Sequence, residues 1–84
     1  MTQGAAHPGA QIFVQAGAFA RADNASRVRD RIASIGQAQV SGVRANGANL
    51  FRVRLGPMAS IEEADRILAK VVAAGMSDAR IVVE

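Results

Sequence analysis

Residues 50 to 57 read LFRVRLGP, and the alternation inside that stretch decides how the rest of the chain is read. Successive side chains of a β-strand point to opposite faces, so Phe51, Val53 and Leu55 share one side. Leu50, Arg52 and Arg54 share the other. The first set is core material, and the second places two fixed positive charges on the opposite face. Such a strand belongs to a sheet with one side covered and one side open to water.

Working outward, QIFVQAGAF (11–19) alternates Ile12, Val14 and Ala16 against Phe13 and Gln15, which predicts a half-buried strand ended by Gly17. DNASRVRDRIASIG (23–36) predicts a helix: Asp23 caps the first turn, Ala25, Val28, Ile32 and Ile35 share a face, and Gly36 supplies a left-handed stop. AQVSGVRA (38–45) is a weaker strand, because Val40 and Val43 have opposite parity; a bulge near Gly42 is expected to reconcile them. NGAN (46–49) is a turn joining it to the arginine-bearing strand as a hairpin. SIEE (60–63) has capping-box spacing, with Ser60 bonding forward and Glu63 reaching back. Ala64, Ile67, Leu68 and Val71 form the buried stripe of that second helix, and Gly75 ends it. ARIVVE (79–84) closes as a strand, Ile81 and Val83 on one face and Arg80 and Val82 on the other.

An internal repeat supports this order. At an offset of 39, Gly17 matches Gly56, Gly36 matches Gly75, Val14 matches Val53, Ala25 matches Ala64 and Arg27 matches Arg66. Two strand–helix–strand halves predict an α+β fold, a βαββαβ two-layer sandwich of the ferredoxin-like (RNP) kind. Its four-stranded antiparallel sheet carries both helices on one face, because right-handed crossovers send them to the same side. Phe13, Gln15, Leu50, Arg52, Arg54, Arg80 and Val82 are expected on or near the other face.

Composition narrows the function. With 84 residues, half of them apolar, the chain can build one modest core. No continuous apolar run approaches the roughly 18–20 residues of a membrane span. The opening MTQGAAHPGA (1–10) shows no signal-peptide pattern and reads as a flexible tail or linker remnant, so the domain is expected to occupy 11–84 of a piece cut from a longer protein. Cysteine is absent, which removes disulfides, thiolate nucleophiles and thiolate metal sites. The net charge is +3 and nine of the ten basic residues are arginine, a balance that suits an anionic partner.

Nothing in the chain assembles catalytic chemistry. His7 is the only histidine and lies in the tail. The acids Asp23, Asp30, Glu62, Glu63, Asp65, Asp78 and Glu84 fall mostly in helix first turns or on solvated faces, and no pair is expected to converge as an acid–base couple. No nucleophile sits with a base and no glycine loop cradles phosphate, so no cofactor and no metal are expected. Arg27, Arg29 and Arg31 spread around the first helix, near enough to Asp23 and Asp30 to pair as an ordinary surface. The open sheet face is the better candidate. Arginine's planar fork accepts carboxylate or phosphate in bidentate fashion. The same topology serves RNA-binding domains, whose central strands stack aromatics on bases, but here Phe13 is the only aromatic expected on that face. A single-stranded RNA binder is thus the runner-up, and a protein-interaction module of this topology a further alternative.

IFVQAGAF, NASRVRDRIASIG and LFRVRLGPM together resemble the SPOR domain, a peptidoglycan-binding module of bacterial envelope proteins. Two motifs carry the resemblance, which spans residues 12 to 83: V-Q-x-G-[SA]-F at Val14 to Phe19, and R-V-x-[LIV]-G-P at Arg52 to Pro57. It implies binding, along the open sheet face, to glycan strands stripped of their stem peptides, as at division septa. It also implies residence in the periplasm or cell envelope as part of a larger exported protein or lipoprotein. By position, Gln15 is the motif glutamine and Arg52 the motif arginine. Ala18 stands where division proteins often carry serine, Leu50 where some carry tryptophan, and Arg80 at a final-strand contact. The glycan-binding set expected is therefore Phe13, Gln15, Ala18, Leu50, Arg52, Arg54 and Arg80. The resemblance implies no catalysis by the domain, whose parent can carry a separate lytic transglycosylase domain. It implies neither nucleic-acid partners nor membrane contact by the domain itself.

Overall fold

A computed structural model of the chain describes residues 10–84, so the expectations for His7 and for the tail, Ala10 apart, lie outside the described residues. The elements run β1 (Ile12–Phe19), α1 (Ala22–Ile32), β2 (Ala38–Ala45), β3 (Ala48–Met58), α2 (Ile61–Ala73) and β4 (Arg80–Val83). The strands form one sheet in the order β2-β3-β1-β4, with every neighbouring pair antiparallel. The expected α+β sandwich is the observed one. Val14, Ala16, Val53 and Leu55 from the central strands are buried with Ala25 and Ile32 of α1 and Ala64 and Val71 of α2. Val28 of α1 and Ile67 and Leu68 of α2 complete the helical stripes at the margin of that core, while Ile35, expected on the first helix, packs there from the turn beyond its end. No helix among the described residues is long and apolar enough to cross a membrane.

Two irregularities set the faces. Between the partners Gln15↔Arg54 and Gly17↔Val53, β1 advances two residues while β3 advances one, so Ala16 is an extra residue in a β-bulge. Strict alternation would put Ala18 beside Val14 and Ala16. The bulge instead pairs Ala18 with Arg52 on the open face and Phe19 with Phe51 on the helix face. β1 therefore runs through Gly17 rather than ending there. A Cβ on Gly17 would lie 2.9 Å from Phe19 Cζ, so the missing side chain gives the Phe19 ring its seat. The second irregularity lies at Gly56, where φ is +128° and an added Cβ would meet the Ile12 carbonyl at 3.0 Å and Phe13 Cδ1 at 3.1 Å. Only glycine takes that backbone comfortably and lets the chains approach so closely.

Several local expectations need correcting. β2 carries no bulge at Gly42: its register with β3 is unbroken from Ala38↔Leu55 to Ala45↔Ala48. Val40 faces the helices opposite Val53, while Val43 pairs with Leu50 on the open side, which removes the need for reconciliation. The turn is the two residues Asn46 and Gly47, both with positive φ (52° and 78°), the arrangement that matches strand twist in a tight hairpin. Ala48 and Asn49 are already strand.

Asp23 does not cap α1. Arg21 occupies the cap position, and Asp23 sits inside the first turn, where it accepts from Arg21 Nε at 3.0 Å and Nη2 at 3.1 Å. Gly36 is not a left-handed stop, because the helix ends at Ile32 and Gly36 lacks positive φ. A Cβ there would lie 3.3 Å from Leu55, so Gly36 admits the loop close to the core. In α2, Ser60 Oγ accepts from Glu63 N at 3.1 Å as expected, while Glu63 Oε1 reaches past Ser60 to Ala59 N at 2.8 Å. At its other end Gly75 (φ +107°) donates to Val72 O and Met76 to Val71 O, the paired bonds of a Schellman stop.

Candidate functional site

Cross-strand partners point to the same side of a sheet, so the register arranges the open face in rows. One row runs Arg80, Gln15, Arg54, Gln39 across all four strands. The next runs Ala18, Arg52, Ser41. Phe13 pairs with Val82 on one flank, and Leu50 with Val43 on the other. All seven residues expected to form the site thus share one continuous surface, and Ala18 joins it through the bulge.

The two arginines on β3 differ sharply in environment. Arg54 is only 9% exposed. The Phe13 ring lies over its guanidinium, with Cζ 3.9 Å from the ring centroid, an attraction of about 0.5–2 kcal/mol that also fixes the orientation of the plane. Its Nη2 lies 3.0 Å from Glu84 Oε1, close enough for charge attraction, yet its N–H bonds are not directed at that oxygen. Arg52 is more open, its side chain 26% exposed, and its Nη1 donates to Glu84 Oε2 over a long 3.5 Å. Arg52 Nε, Arg54 Nε and Arg54 Nη2 are buried donors without a hydrogen-bond partner among the described residues. Donors out of water normally find acceptors, and leaving one unpaired costs about 1–3 kcal/mol, more when charged.

Glu84 is the residue that sequence reasoning passed over. Arg80, Val82 and Glu84 share parity on the last strand, so alternation alone puts its carboxylate on the open face. Its main chain pairs with Gln11 in both directions, at 2.6 and 2.8 Å. The Arg54 guanidinium, with a smaller contribution from Arg52, holds the Glu84 carboxyl below its ordinary value, partial desolvation opposing.

The remaining site residues offer less charge. Gln15 is nearly buried at 8% exposure, so it lines the floor between Arg54 and Arg80 more than it reaches outward. Arg80 and Ala18 are exposed; Phe13 and Leu50 are half-buried. A hollow of about 380 Å³ adjoins Leu50, lined by Gly42, Val43, Arg44, Asn49, Leu50 and Phe51, to one side of the arginines. On α1, Arg29 pairs with Asp30 at 3.2 Å, the ordinary solvated surface expected there. Among the described residues no three histidine, cysteine or acidic side chains come together to hold a metal ion.

This geometry presents a candidate binding face: an antiparallel sheet whose uncovered side holds a braced pair of guanidinium groups. The model of the SPOR domain matches residues 8–81, so the chain belongs to the SPOR domain family. Two solved structures are similar. The RlpA SPOR domain from Pseudomonas aeruginosa shares 30% identity over 84% of this chain and 96% of that one, with a TM-score of 0.77. The peptidoglycan binding domain of the B. subtilis cell wall lytic enzyme CwlC shares 26% identity over 94% of this chain and 95% of that one, with a TM-score of 0.70. No curated protein sequence matches the chain.

Proposed function

We propose that the domain binds peptidoglycan, recognising glycan strands without stem peptides through the open face of the sheet. The observation that carries this reading is the Arg52–Arg54 pair: two guanidinium groups on an uncovered sheet face, with the buried Nε–H donor of each left without a partner among the described residues. In a stripped strand the lactyl group of muramic acid ends in a carboxylate. Where a stem peptide is attached, the same carbon is a neutral amide. An arginine clamp distinguishes the two, because a hydrogen bond to a charged group contributes about 1.5–3 kcal/mol, or roughly a ten- to hundredfold difference in affinity. A peptide branch must also find room beside the sheet, which adds discrimination by bulk.

The other site residues take secondary parts. Arg80 extends the positive surface along the Gln15 row. Leu50 and Val43 form an apolar step against which a sugar face can rest. Ala18 leaves space beside Arg52 and contributes no hydroxyl. The kinship with RlpA and with a peptidoglycan binding domain supports the same ligand class. The domain serves as a targeting module that brings a larger envelope protein to division septa, and any lytic transglycosylase chemistry resides in a separate domain of that parent.

RNA binding is less well supported. The one aromatic on the open face, Phe13, already lies on Arg54 and is not presented for base stacking. Retention on insoluble sacculi, with and without amidase pretreatment, tests the proposal. Pretreatment is expected to raise retention; retention indifferent to it would refute recognition through the carboxylate. A shallow salt dependence is expected, since a glycan releases few counterions compared with a nucleic acid.

A further inference from the structure

Glu84 places a carboxylate on the clamp from within the chain. Its two oxygens are divided between the arginines, Oε1 at 3.0 Å from Arg54 and Oε2 at 3.5 Å from Arg52. The contacts are incomplete: neither Nε–H is used, and Arg54 Nη2 does not aim a proton at the oxygen beside it. The two sides of this pairing also differ in freedom. Arg54 is packed beneath Phe13, whereas the Glu84 side chain is 48% exposed at the end of the four-residue strand β4. Its backbone is held by Gln11, so the side chain can swing into water without moving the sheet. The clamp is fixed and its carboxylate is movable.

We propose that Glu84 is an internal competitor for the Arg52–Arg54 clamp, displaced when a ligand carboxylate binds. This rests on the reading of the clamp as a carboxylate site, and it adds a reason for selectivity. A neutral amide gains too little from the guanidinium groups to expel a charged occupant, whereas an incoming carboxylate replaces like with like and can engage the unused Nε donors. Discrimination then comes from opposing the wrong ligand as well as attracting the right one. The charged groups facing Glu84 are Arg52 and Arg54 from β3. The facing residues of β1, Gln11, Phe13 and Gln15, carry no charge.

The test uses the whole chain and two variants, Glu84→Gln and Glu84→Ala, with thermal melts to monitor folding. The Nε–Hε resonances of Arg52 and Arg54 are followed during titration with sodium acetate at constant ionic strength. The half-saturating acetate concentration is expected to fall about two- to fivefold in both variants, the scale of an exposed ion pair removed from competition. Coincident curves, a weaker response in the variants, or no response in any of the three proteins would overturn the proposal. Retention on amidase-treated sacculi separates the two ideas. If the variants relieve acetate competition and none of the proteins is retained, the glycan reading fails and the competitor stands. If all are retained alike with coincident acetate curves, the competitor fails and the glycan reading stands.

Discussion

Replacing Arg52 by alanine separates recognition from folding, and the structure sets the size of both effects. The Arg52 side chain is 26% exposed and its only ion-pair partner among the described residues is the half-exposed Glu84, at 3.5 Å. Pairs of that kind contribute about 0.2–1 kcal/mol after solvent screening. In a domain of this size the melting temperature should therefore fall by no more than about 4–8 °C, and the urea midpoint only slightly. Binding should respond on another scale. Loss of a charge-assisted hydrogen bond to the glycan removes about 1.5–3 kcal/mol, so affinity for amidase-treated glycan should drop about ten- to a hundredfold. Isothermal titration with soluble stripped glycan chains, paired with urea denaturation of the same preparations, measures both. Affinity within twofold of the parent would refute the clamp. A melting temperature lowered by 15 °C or more, on the order of twice the bound above, would show that Arg52 holds the sheet together instead.

Three further outcomes follow from the same coordinates. Arg54→Ala should weaken binding and also destabilise, by about 2–4 kcal/mol, since it removes the packing beneath Phe13; urea unfolding that matches the parent would contradict that burial. Because its folded-state carboxyl is depressed by Arg54 and then Arg52, Glu84 contributes stability that is present above the unfolded-chain carboxylate value and lost as pH falls through the depressed one. Glu84→Gln should accordingly flatten the acid side of the stability-against-pH curve, and parallel curves would count against the pairing. Ser60→Ala removes the acceptor for Glu63 N and should cost about 1 kcal/mol in urea unfolding with no change in glycan retention.

Much of the architecture was legible because long apolar stripes repeat with unambiguous periods. Phe51, Val53 and Leu55 fix one face of β3, and Ala64, Ile67, Leu68 and Val71 fix one side of α2, whatever their partners do. Features that depend on partners were less so. Val43 looked out of phase until Leu50 supplied an apolar neighbour across the hairpin on the exposed side. The bulge at Ala16 hides among small residues, where an inserted alanine leaves the hydrophobic pattern unbroken. Asp23 has the chemistry of a cap, but it lies two positions past the cap residue Arg21, inside the first turn, and pairs with it there. In the candidate site, the arginines could be placed by parity alone. The burial of Arg54 could not, because it needs Phe13 and Glu84 from strands remote in sequence.

The extra residue in β1 works as a phase shifter. Val14 and Phe19 are an odd number of positions apart, yet both serve the interior, and the half-turn between them delivers position 18 to the surface beside Arg52. Chemical tuning at that position is thereby uncoupled from folding: a hydroxyl or a larger polar group there would alter what the surface grips without disturbing the interior. Drawing Ala16 into regular one-to-one pairing would do the reverse, turning Phe19 out to water and drawing position 18 inward, whereas deleting Ala16 would restore plain alternation with both faces kept. The bulge thus absorbs the odd spacing between Val14 and Phe19 at one small residue, so both faces of the strand keep their parts.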